Sequence, residues 1–118
     1  MPIFEVESWR VAGGKEDEHA DSMRRWLRWV KDHRDLFKEW KSLRYFVKEI
    51  AGEETERHIV IWEYDSLADF ERYKERRGNY EGAYTEYREN DPYHQDVFNH
   101  QTMKVEIWRD RERELWIE

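Results

Sequence analysis

The sequence predicts an α+β domain of four strands and two helices in the order β-α-β-β-α-β. Three observations carry this. Residues 3–11 (IFEVESWRV) and 103–109 (MKVEIWR) alternate with the period of two that marks a half-buried strand. Residues 15–33, and the segment that follows Ser66, space their apolar side chains three and four apart, as an amphipathic helix does. Between them, residues 43–50 (LRYFVKEI) and 58–64 (HIVIWEY) flank a polar turn at 52–56 and so form a hairpin.

Each element has its own local reason. In the first strand Phe4 and Val6 point one way, and Ile3, Glu5, Glu7 and Trp9 the other; Gly13-Gly14 ends it. The first helix opens on Glu16, Asp17 and Glu18, acids that suit the positive end of its dipole. Ala20, Met23, Leu27 and Val30 form its apolar stripe, with Trp26 and Trp29 at the margins. Leu36, Phe37 and Trp40 are expected in a further helical turn that closes on the core. The strand at 58–64 is nearly all apolar, which places it in the sheet interior. Ser66 followed by Asp69 has the capping-box pattern, and Leu67, Phe70 and Tyr73 continue as a stripe. Tyr73, Tyr80, Tyr84 and Tyr87 keep helical spacing past Gly78 and Gly82, so a kink or break is expected near Gly78. Asp91-Pro92 ends the helix. Residues 93–102 read as an irregular connection. In the last strand Met103, Val105 and Ile107 face one side, and Lys104, Glu106 and Trp108 the other. The apolar tail at 115–117 is read as an added strand or an arm on a partner.

At 118 residues the chain has room for one core, with 110–118 as an extension. Charged residues make up 42%, a level that would suit disorder, but 7 Trp, 7 Tyr and 5 Phe require a packed interior. The net charge of −7 is spread over interspersed acids and bases, so no basic stripe awaits a nucleic acid. There is no Cys, which excludes disulfides and thiolate chemistry. No apolar run has the length of a membrane span, and MPIFEVESW lacks the basic start and apolar segment of a signal peptide. A cytoplasmic protein is expected. Few amides with abundant Glu, Lys and Arg fit a thermophile.

The element order is the ferredoxin-like plan, in which two helices cover one face of a four-stranded antiparallel sheet. Aligning strand parities assigns Glu5, Glu7, Trp9, Arg44, Lys48, Lys104, Glu106 and Trp108 to the other face. Charges of both signs flanked by tryptophans are expected to meet a second subunit.

The stretch "IVIWEYDSLADFERY" at 59–73, within this order, resembles the dimeric α/β-barrel superfamily, which includes antibiotic-biosynthesis monooxygenase-like and NIPSNAP-like proteins. There an apolar strand ending in an aromatic is followed by a D-S-L-x-x-F helix start. The resemblance covers roughly residues 3–109. It implies a homodimer whose sheets close face to face, with a pocket between each sheet and its helices. Among the activities it brings are cofactor-independent monooxygenases and isomerases; some members have no known activity. The haem-degrading branch uses an Asn on the first strand and a Trp and a His on the second helix. Here the strand offers Glu5, Glu7 and Ser8, and the helix positions fall near Tyr73 and at Ala83 or Tyr84, so those roles do not carry over.

Candidate site residues follow. Trp62, Tyr64, Tyr73, Tyr84 and Trp9 are candidates to line a pocket for a flat apolar or aromatic ligand; ordinary core packing is the competing reading. Glu7 and His58, if they meet in a cleft, form an oriented base for proton transfer. The alternative for them is a strand-end histidine and an interfacial ion pair. His94, Asp96 and His100 offer metal-ligand chemistry at a spacing that matches no known ligand set, and a polar loop is the simpler reading. No metal or other cofactor is expected. The expected function is small-molecule binding, with enzymatic proton transfer as one form and a non-catalytic homodimer with a side-chain-filled pocket as the alternative. In that alternative Trp62, Tyr73 and Tyr84 interdigitate with Trp26 and Met23.

Overall fold

The computed structural model describes residues 1–118. Its strands are β1 (Ile3–Val11), β2 (Ser42–Val47), β3 (His58–Tyr64) and β4 (Phe98–Arg109), and they form one sheet in the order β2-β3-β1-β4. Every neighbouring pair is antiparallel, and helix α1 (Glu16–Asp32), helix α2 (Leu67–Arg77) and a shorter helix α3 (Tyr84–Asn90) complete the ferredoxin-like α+β fold. No helix is long and apolar enough to cross a membrane.

The buried stripe of α1 runs through His19, Met23, Trp26 and Val30, so Trp26 sits at its centre and Leu27 at its margin. A 3₁₀ turn, Arg34–Phe37, then brings Phe37 and Trp40 into the core, where Phe37 meets Trp40 at 4.4 Å and Tyr87 at 4.8 Å between ring centres. The Ser66 hydroxyl accepts the N–H of Asp69 at 3.1 Å and caps α2, as the motif predicts. The helical spacing past Gly78 conceals a full break. Gly78 takes φ +55 and ends α2, and Tyr80 and Gly82 also have positive φ before α3 begins.

Two strand bounds differ from expectation. β2 stops at Val47, although Lys48 still donates its N–H to the Arg57 carbonyl and accepts that of Glu56. β4 begins at Phe98, inside the segment read as irregular. The register between β1 and β4 shifts there, with Ser8 opposite Lys104 and Arg10 opposite Asn99. Thr102 makes the irregularity tolerable: its hydroxyl accepts the N–H of Arg10 at 2.9 Å and donates to the Asn99 carbonyl at 2.7 Å.

The registers also overturn one face assignment. Glu5 pairs with Trp62, Glu7 with Val60 and Trp9 with His58, so these three β1 side chains lie on the helix-covered face. Phe4 and Val6 lie on the outer face with Arg44, Phe46, Ile61, Lys104, Glu106 and Trp108. Strand parity, with Phe4 and Val6 as the apolar face, assigns Glu5, Glu7 and Trp9 to the outer side; their partners Trp62, Val60 and His58 carry them inward. The tail does not add a strand. After a 3₁₀ turn, Arg113–Leu115, Trp116 folds back over Phe4 at 6.5 Å, with the Arg113 guanidinium 3.8 Å from its ring centre.

Candidate functional site

Between the helix-covered face of the sheet and helices α2 and α3 lies a cavity of about 520 Å³. Its floor is built by strand alternation: Glu5, Glu7 and Trp9 from β1, Val60 and Trp62 from β3, and Met103 and Val105 from β4. Trp26 of α1, Trp40 and Tyr73 of α2 supply aromatic walls. The polar rim comes from Lys74 and Arg77 in the last turn of α2, from Asn79 and Tyr80 in the break after it, and from Asp91 and His94. The volume is that of a pocket for a small organic molecule.

The expected interdigitation is partial. Trp26 meets Trp62 edge-on at 6.0 Å, and Trp40 meets Trp62 and Tyr73 in the same way. Open space remains beside them. Trp62 lines the cavity, and its indole Nε1 is buried without a protein partner.

The floor also carries two adjacent carboxyl groups, since Glu5 and Glu7 are two residues apart on one face of β1. Glu5 is 3% exposed, and its Oε2 lies 3.2 Å from Lys74 Nζ. The Tyr64 hydroxyl donates to its Oε1 over a long 3.5 Å. Glu7 has no cation of its own. Burial first, then the neighbouring Glu5 charge and a hydrogen bond shared with Glu5, push Glu7 up from 4.5 to about 8, against a smaller pull from Lys74. Glu7 therefore holds its proton beside a Glu5 carboxyl that is ion-paired with Lys74. An acid kept neutral at neutral pH in an apolar cavity has the property a general acid–base group needs. Burial also raises Asp91, against the N–H of Tyr93, and raises Tyr80 to about 12.

The structure brings Glu7, Trp9, Trp62 and Tyr73 to this cavity. Tyr64 stands behind the wall and reaches it only through Glu5. Tyr84 is a packing residue: its hydroxyl donates to the Leu36 carbonyl at 2.6 Å and accepts from Arg76 Nε at 2.9 Å. His58 does not meet Glu7. It lies opposite Trp9, stacked on that ring at 6.2 Å, and its Nδ1 is 2.6 Å from the Tyr45 hydroxyl. Beyond Trp9, His19 accepts the Trp9 indole N–H at 2.9 Å, and burial followed by His58 lowers it to about 4, so this histidine is a neutral acceptor that orients Trp9. His94, Asp96 and His100 are engaged separately: His94 against the Tyr80 ring, Asp96 3.7 Å from Lys15 and His100 on the Tyr93 carbonyl. No group of three or more ligating side chains is gathered for a metal.

Sequence reasoning missed Glu5 as a partner of Glu7, and missed Lys74, Arg77, Tyr80 and Asp91. The signal for Lys74 and Arg77 was present. Both fall within about one helical turn of Tyr73 on a helix whose stripe faces the sheet.

No protein-family model matches the sequence, and no curated protein matches it significantly. Solved structures do. A NIPSNAP family protein from Agrobacterium tumefaciens is similar with a TM-score of 0.68 at 18% identity, over 96% of each chain. A NIPSNAP-like domain protein from Burkholderia xenovorans is similar at 0.63 and 17%, over 95% of this chain and 87% of that one. A candidate antibiotic biosynthesis monooxygenase from Bordetella bronchiseptica is similar at 0.59 and 12%, over 92% and 96%. At these identities the likeness is one of fold. The resemblance carried by "IVIWEYDSLADFERY" therefore holds at that level, with NIPSNAP and antibiotic-biosynthesis monooxygenase-like structures.

Proposed function

We propose that the cavity binds a small, largely apolar or aromatic molecule and that Glu7 exchanges a proton with it, as a cofactor-independent isomerase- or monooxygenase-like enzyme requires. The observation that carries the reading is the raised acid Glu7 beside the ion-paired Glu5 on an aromatic cavity floor. Burial and the neighbouring Glu5, ion-paired with Lys74, favour the proton on Glu7; a substrate atom of suitable basicity takes it, and the emptied carboxylate regains it from carbon elsewhere on the substrate. The Trp62 N–H supplies a donor for a substrate oxygen. Fold likeness to a candidate antibiotic biosynthesis monooxygenase is in keeping with this chemistry. The side-chain-filled alternative is disfavoured by the cavity volume.

The working unit in this proposal is a homodimer. The outer sheet face exposes Phe46 and Trp108 by nearly half, and a groove of about 270 Å³ lies between Phe4, Phe46, Ile61, Trp108 and Trp116, edged by Arg44 and Glu63. A face carrying both signs around an apolar centre is suited to a second copy of itself, because a two-fold axis can place Arg44 against the partner's acid.

The test is a fluorescence titration with 1-naphthol of the wild type and of Val60→Trp, which fills the cavity floor, with circular dichroism melts to confirm folding. Saturable quenching of the wild type that is lost in the variant supports the reading. Equal binding by a folded variant overturns it.

A further inference from the structure

We propose that the ligand of this cavity is an organic acid, with its apolar body against Trp9, Trp40 and Trp62 and its carboxylate on Arg77. The inference rests on the cavity being a binding site, and it names what that site selects.

Two consecutive arginines at the end of α2 make the contrast. Arg76 is fully engaged. Its two Nη atoms lie 2.7 and 2.5 Å from the Glu39 oxygens, its Nε donates to Tyr84, and Nη2 also reaches the Leu36 carbonyl. Arg77 lines the cavity and has no carboxylate within ion-pair distance. Its only hydrogen bond is a long one, 3.4 Å from Nη1 to the Tyr80 hydroxyl, and its Nε is buried with no protein partner. A guanidinium carries five donors in a planar fork that fits a carboxylate with two parallel bonds. Left without that acceptor, the buried Nε costs free energy and the other donors of this half-buried guanidinium stay unfilled by protein.

The surroundings hold Arg77 in this state. Its guanidinium lies 4.6 Å from the centre of the Tyr80 ring. Tyr80 occupies the left-handed region at φ +58, between Gly78 and Gly82, a conformation that a tyrosine rarely takes unless its surroundings impose it. The strained turn fixes the ring as a platform beneath the guanidinium. The nearby acids are otherwise occupied. Glu5 is paired with Lys74. Asp91 accepts the Tyr93 N–H at 3.0 Å and the Tyr80 hydroxyl at 3.4 Å. Burial raises both Glu7 and Asp91, and neither carboxyl lies within ion-pair distance of the Arg77 guanidinium. A neutral ligand would leave the Arg77 donors unfilled; an acid completes them.

Paired probes test this: 2-naphthoate and 2-naphthamide share a body and differ in charge. Isothermal titration at about neutral pH should give naphthoate an advantage of about tenfold or more over the amide in the wild type, the size of one charge-assisted pair. Arg77→Gln should bring the two probes to parity while the amide affinity stays nearly unchanged, and a thermal melt checks that the variant is folded. Equal binding of the two probes by the wild type, or a naphthoate preference that survives Arg77→Gln, overturns the inference and leaves the cavity reading intact. Binding of neither probe overturns the cavity reading and this inference with it.

Discussion

Replacing Glu7 by glutamine should change how the protein's stability depends on pH. In the unfolded chain Glu7 ionises near 4.5; in the folded protein it is held up to about 8. Between those values the folded state binds a proton that the unfolded state has released. Stability from this group is therefore complete below about pH 4.5 and is lost as pH rises through 8. One proton linked to folding gives a slope of about 1.4 kcal/mol per pH unit. Solvent at the cavity mouth reduces the integrated effect to about 2–4 kcal/mol, still a large part of a small domain's stability. Glutamine preserves the shape and cannot ionise. Urea denaturation of wild type and Glu7→Gln from about pH 5 to about pH 9 reads the difference directly. His19 and His58 titrate with the opposite sign at lower pH, because burial lowers both, but they cancel in the comparison of the two proteins. The wild type should lose stability relative to the variant from about pH 5 to about pH 8 and level off above that. Parallel curves would refute the claim that a neutral carboxyl is held on the cavity floor.

Other consequences follow from specific contacts. Glu39→Ala should cost about 3 kcal/mol in denaturant melts, because it leaves the Arg76 guanidinium partly buried without its acid. The Arg76 hydrogen bonds hold the Glu39 carboxyl low, so its stabilisation is present above 4.5 and lost as pH falls through its folded value; the variant should show a shallower acid limb. Ser66→Ala removes the cap of α2 and should cost about 1 kcal/mol in the same assay. Trp108→Lys places a charge on the outer sheet face and should reduce the sedimentation-equilibrium mass from two chains to one; a wild type that is already monomeric would end the dimer proposal.

Much of the fold was legible because alternation and helical spacing are local. The strand parities at 3–11 and 103–109, the cap at Ser66 and the stop at Asp91-Pro92 are each written within a few residues. What local pattern cannot carry is the pairing between strands. Phe4 and Val6 on β1 looked like the core face because they are the apolar pair, while Glu5 and Glu7 looked like the wet one. Only the register with β3, which sets Glu5 beside Trp62 and Glu7 beside Val60, shows that the acids line an internal cavity. Ile3 and Trp9 share their parity and were the hints of it. The same limit explains His58 and Glu7. Both lie on the helix-covered face, but Trp9 is the residue opposite His58. The early start of β4 was hidden because Asn99, His100, Gln101 and Thr102 are polar, and Thr102 serves the backbone there. Arg77 was masked by its neighbour, since one basic run holds one structural arginine and one that faces the cavity.

The central claim is that small aromatic molecules enter the cavity between sheet and helices. The indole N–H resonances of the tryptophans, assigned by substitution and followed in a proton–nitrogen NMR titration with 1-naphthol, test it most directly. Trp62, whose N–H is unpartnered, and Trp9 and Trp40 on the cavity lining should shift together and saturate, while Trp108 and Trp116 on the outer face stay in place. Saturating shifts confined to Trp108 and Trp116 would put the binding site on the outer face and contradict the account.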